Sequence, residues 1–162
     1  MRQKRGVILL GMAAGLAWAV LALVLGARIH VPIGLIQPVL MGAALGPGLV
    51  LIAMIGRLAQ RRFFDDALID GQPLAPGGGA EIDQRVLQNT LEQTVLALCL
   101  WPFVGFVLGV GTVAVLAAGF TLARVLFWTG YHLSPPLRAF GFAATFYPQV
   151  VAALWTLWVL GT

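Results

Sequence analysis

Charge is what this chain has least of: Asp, Glu, Lys and Arg make up 10% of its 162 residues, against 60% hydrophobic. An ordinary soluble domain carries about 25% charged residues, so a soluble globular fold is excluded. With a mean hydropathy of +0.93, the chain is better counted in membrane spans of about 20 residues each. Cysteine is nearly absent as well. Cys99 stands alone, which excludes an intrachain disulfide and a cysteine-cluster metal site, and reads as a small buried apolar residue. His30 has no second imidazole nearby and reads as a wetted interfacial side chain, so no metal is expected. Sustained apolar/polar alternation is missing, which excludes a membrane barrel. Gly77-Gly78-Gly79 has neither the lysine nor the preceding strand of a phosphate-binding loop. No nucleic-acid module is present.

Long apolar runs remain, and five fit. The first, Val7 to Gly26, follows Arg2, Lys4 and Arg5; it is too long for a signal-peptide core and lacks a small-residue cleavage pattern, so it reads as a retained span. Within it Gly11 and Gly15 form a G-x-x-x-G pair that permits close helix contact. A second run extends from Ile33 to Ile55, with a helix expected from about Pro38 and a kink near Pro47. From Arg57 to Asp83 charged residues and glycines indicate an aqueous loop, first a solvated connection and second a lid over a neighbouring site. The third span is the helix from Ile82 to Leu100, and Pro102 with Gly105, Gly109 and Gly111 then predicts a tight reversal. Spans over Thr112–Phe127 and Ala139–Leu160 are separated by a polar break from Thr129 to Arg138, where Pro135-Pro136 interrupts helix.

Counting basic residues by compartment orients this all-α membrane bundle. With the N-terminus on the cytoplasmic side, the inner face receives every Lys and Arg except Arg28, which satisfies the positive-inside rule and accounts for the pI of 10.2.

The most informative stretch is Ile82 to Leu100, which carries Arg85, Asn89 and Glu92 into apolar surroundings. Spacings of four and three stack these side chains on one helical face. A carboxylate inside a span costs about 2.5–3.5 kcal/mol, so Glu92 needs a partner or a polar cavity. Arg85, Asn89, Glu92, Arg124, Tyr131 and Arg138 all fall at or just within the inner membrane face, on three spans. Two readings remain open at this level. Such a set suits a small anionic, zwitterionic ligand, with arginines forking onto carboxylates and Glu92 taking an ammonium group. It equally suits snorkelling arginines with one Arg–Glu pair that fixes helix packing.

The motif R-x-x-x-N-x-x-E at Arg85, Asn89 and Glu92, followed by A-R-x-x-[YF]-x-x-G-Y at Ala123 to Tyr131, Arg138 and Gly141-Phe142, resembles the MAPEG family. These are membrane-associated proteins in eicosanoid and glutathione metabolism. The resemblance implies a four-helix core over residues 31–162, with residues 1–30 as an extra N-terminal transmembrane helix outside or capping the assembly. It further implies a homotrimer holding glutathione as co-substrate between subunits, lined by Arg85, Asn89, Glu92, Arg124 and Tyr131. Arg138 would be the catalytic residue that stabilises the thiolate, and a lipophilic small-molecule substrate would arrive from the lipid. Gln93, Val95 and Phe127 depart from the family pattern. The activity implied is a glutathione-dependent membrane transferase or peroxidase acting on lipophilic electrophiles. The alternative is a non-catalytic trimeric membrane protein that binds a lipid or partner.

Overall fold

The computed structural model describes residues 2–162, with side chains from Gly6 onward. The basic side chains of Arg2, Lys4 and Arg5, on which part of the topology count rests, therefore lie outside the described residues. Six α-helices make up the described residues: α1 (Arg2–Ala27), α2 (Ile36–Ala43), α3 (Leu45–Phe63), α4 (Gly79–Leu108), α5 (Val110–Leu133) and α6 (Pro135–Gly161). A single 3-10 turn, Ile33–Leu35, leads into α2. Because α2 and α3 together form one span, five segments are long and apolar enough to cross a membrane. The protein is an integral membrane helical bundle.

Several element boundaries differ from those the sequence predicts, and proline position explains most of the differences. The break near Pro47 falls upstream, at Ala44, because the proline ring collides with the preceding turn rather than with its own. Pro102 does not end its helix: α4 runs through it to Leu108, an interruption that membrane-spanning helices tolerate. The reversal is compressed into Gly109, whose φ of +93° suits glycine. Likewise the polar break before α6 shrinks to Ser134, because Pro135 and Pro136 occupy the first turn, where no backbone donor is needed. The expected loop from Arg57 to Asp83 is shorter. Helix α3 carries Arg57, Arg61 and Arg62, α4 carries Glu81 and Asp83, and only residues 64–78 connect them.

The core sits between α4 and α5, where Ala97, Trp101 and Val104 meet Val113, Leu116 and Phe120, with Ala22 and Ala152 closing it from α1 and α6. Trp101 Nε1 donates to Gln149 Oε1 at 3.0 Å, tying α4 to α6. Cys99 is exposed on α4 and is not the buried residue expected; it lies on the stripe Arg85, Gln88, Glu92, Val95, Phe103 and Phe106, which faces away from this core.

Helix α1 is part of the bundle. Gly11 and Gly15 place its backbone on α6: a β-carbon at Gly11 would lie 3.2 Å from Phe140 N, and one at Gly15 would lie 2.9 Å from the Ala143 carbonyl carbon. The expected G-x-x-x-G contact is thus realised within the chain. At its other end Gly26 rests on Thr112 of α5. Helices α1 and α6 consequently run in parallel, so the first turns of α1, α4 and α6 share one end of the bundle with the last turns of α3 and α5.

Candidate functional site

Arg124 lies at the centre of this end. It is completely buried, and burying a guanidinium is costly unless its donors are satisfied. Nη1 donates to Asn89 Oδ1 at 2.9 Å, and Nη2 to Thr145 Oγ1 and to Gly141 O at 3.4 Å. The cation also stacks 4.2 Å from the centroid of the Phe127 ring. Phe127 thereby contributes a ring face to the buried cation. One consequence falls on Asn89: with its carbonyl oxygen taken by Arg124, its NH₂ group is left to donate elsewhere.

Asn89 faces a cavity of about 460 Å³, lined also by Phe127, Tyr131, Arg138, Ala139, Phe142, Ile8 and Met12. The Arg138 guanidinium stands 4.8 Å from the centroid of the Tyr131 ring, and that ring meets Phe127 edge-on at 5.1 Å. Arg138 has no carboxylate partner among the described residues. One wall of the cavity is therefore cationic and hydrogen-bonding, and the other is apolar.

Of the six residues singled out in the sequence, Asn89, Tyr131 and Arg138 line this cavity, and Arg124 supports Asn89 from behind it. Arg85 and Glu92 are not brought to it. Arg85 Nη2 donates to Glu81 Oε1 at 2.6 Å, and Glu92 accepts from Gln88 Nε2 at 2.9 Å, both on the outward stripe of α4. The structural Arg–Glu pair considered for Glu92 is absent among the described residues.

A second polar centre escapes sequence reading. Asp83 is buried at 3% exposure, and it accepts from three side chains on two other helices. Arg61 Nε lies 2.5 Å from Oδ2, while His132 Nε2 at 2.8 Å and Trp128 Nε1 at 3.1 Å meet Oδ1. This ties α3, α4 and α5 together beside a separate cavity of about 400 Å³. Its sequence signal was faint: Trp128 and His132 are one turn apart, but Asp83 read as part of a loop.

A sequence model of the MAPEG family matches residues 35–158, which span α2 to the last turns of α6 and include every motif residue. The chain belongs to the MAPEG family. No curated protein and no solved structure matches it. MAPEG membership brings with it the family's general setting of glutathione and eicosanoid chemistry in membranes. It also marks a boundary, because α1 precedes the matched residues.

Proposed function

We propose that this MAPEG protein is a glutathione-dependent transferase or peroxidase acting on lipophilic electrophiles. The observation that carries the proposal is Arg138, a guanidinium without an acidic partner among the described residues, set over Tyr131 beside a cavity that also receives the Asn89 amide. A free thiol has a pKa of about 8.5 and is mostly protonated at neutral pH; an adjacent fixed cation favours the thiolate, which is the nucleophile. In conjugation the thiolate sulfur forms a bond to the electrophilic carbon, and the leaving group departs with its electron pair. Asn89 donates to the peptide portion, held in orientation by Arg124.

Assembly as a homotrimer completes the site in this reading. Arg85 and Glu92 lie exposed on α4, and Glu92 facing lipid would be penalised. A neighbouring copy covers that stripe and brings both residues toward a shared ligand, with Glu92 taking the ammonium group of glutathione. The N-terminus lies on the cytoplasmic side, which places Arg57, Arg61, Arg62, Arg85 and Arg138 there together. Isothermal titration of the purified protein with glutathione in detergent tests the reading: saturable binding is expected, and its absence rejects it.

A further inference from the structure

Helix α1 lies outside the residues matched to the family, yet two of its side chains help to form the wall of the candidate site. Ile8 and Met12 border the same cavity as Asn89, Tyr131 and Arg138. They are one helical turn apart and so share a face. Their position is fixed by the glycine contacts that seat α1. At Gly11 a β-carbon would lie 3.3 Å from Pro136 O, and at Gly15 one would lie 3.1 Å from Ala144 N, so neither helix can slide without a backbone clash. Farther along, the Trp18 ring covers Gly119 of α5. This register presents Ile8 and Met12 to the opening above Ala139, one residue from Arg138.

The two walls differ in chemistry. Asn89 and the Tyr131 hydroxyl can hold the polar groups of a peptide thiol and Arg138 its sulfur, whereas Ile8, Met12, Ala139 and Phe142 present carbon and sulfur only. Met12 is 38% exposed, so the apolar side of the cavity opens to the outer surface of the bundle. From this we infer that α1 is the specificity wall of the enzyme: Ile8 and Met12 receive the hydrocarbon portion of the second substrate as its reactive carbon approaches Arg138. The inference rests on the glutathione reading above. The substrate class is an electrophile with an extended alkyl or aryl group, and the unbranched, polarisable Met12 side chain accommodates variation in its shape.

S-hexylglutathione tests the assignment, because its alkyl group occupies the place of the hydrocarbon in a conjugate. Each buried methylene favours binding, so the wild type should bind it at least about 10-fold more tightly than glutathione. The Ile8→Ala/Met12→Ala double variant should lose about 10-fold of that preference while its affinity for glutathione itself holds. A second variant, Met12→Trp, changes a partly exposed position and should also lower the preference, by filling the space. Trimer elution and thermal melting report whether each variant is folded. A preference unchanged in both variants overturns the assignment and leaves the glutathione reading standing. An equal loss for both ligands also overturns it, since α1 would then support the peptide. Failure of the wild type to bind either ligand defeats the glutathione reading and this inference with it.

Discussion

At the residue scale, Arg138 and Arg124 carry the same charge and do different work. Arg138 is exposed at the cavity and, in the proposed reaction, bears on the reacting sulfur, so Arg138→Ala should leave glutathione binding largely intact. It should abolish ultraviolet thiolate absorbance at pH 7 and lower conjugation of chlorodinitrobenzene by roughly 10²- to 10³-fold. Equal thiolate signals in wild type and variant would remove the catalytic assignment. Arg124 is sealed inside, where it orients Asn89. Arg124→Gln should weaken glutathione binding and lower the melting temperature together, because each buried acceptor left unpaired costs about 1–3 kcal/mol. Asn89, Arg124, Tyr131 and Arg138 were legible in the sequence through their spacing on consecutive spans. Asp83 was not, because its partners lie 22, 45 and 49 residues away and only the folded bundle unites them.

At the scale of elements, apolar run length was enough to count five spans, and their ends were obscured by prolines and charges. Arginines near a helix end read as loop in sequence, yet α3 continues through Arg57, Arg61 and Arg62 because long side chains reach water while their backbone stays helical. The Gly141-Phe142 motif has a packing reason visible only in three dimensions. A β-carbon at Gly141 would lie 2.6 Å from the Phe127 Cα and 2.9 Å from the Ala123 carbonyl oxygen, and neither backbone atom can yield cheaply. Gly141→Ala should therefore destabilise the protein by about 1–3 kcal/mol or more, and it should disturb Arg124, which bonds the Gly141 carbonyl. Gly48→Ala is the matched control, with open space around its added methyl. Thermal melts in detergent should fall for the first and hold or rise for the second.

At the scale of the whole molecule, the outward stripe of α4 argues for assembly. Native mass spectrometry should show trimers, and a purely monomeric protein would count against a shared site. If Glu92 binds ligand across that interface, Glu92→Gln should weaken glutathione affinity while the trimer persists; loss of thermal stability at unchanged affinity would reject the role. The sequence placed Arg85, Asn89 and Glu92 on one face of α4, but that Asn89 meets Arg124 while Arg85 and Glu92 stay exposed depends on how α5 and α6 pack. The one-residue turn at Gly109 has a further consequence, for biogenesis. With no aqueous linker between them, α4 and α5 should enter the bilayer as a hairpin, with Arg124 free to pair with Asn89 as it does in the folded bundle. An arginine entering in a lone helix would be penalised by about 2.5–3.5 kcal/mol. Inserting a long hydrophilic linker after Gly109 should therefore lower the fraction of α5 that integrates in a microsomal insertion assay. Arg124→Leu should restore it, and integration indifferent to both changes would mean that the two helices enter one at a time.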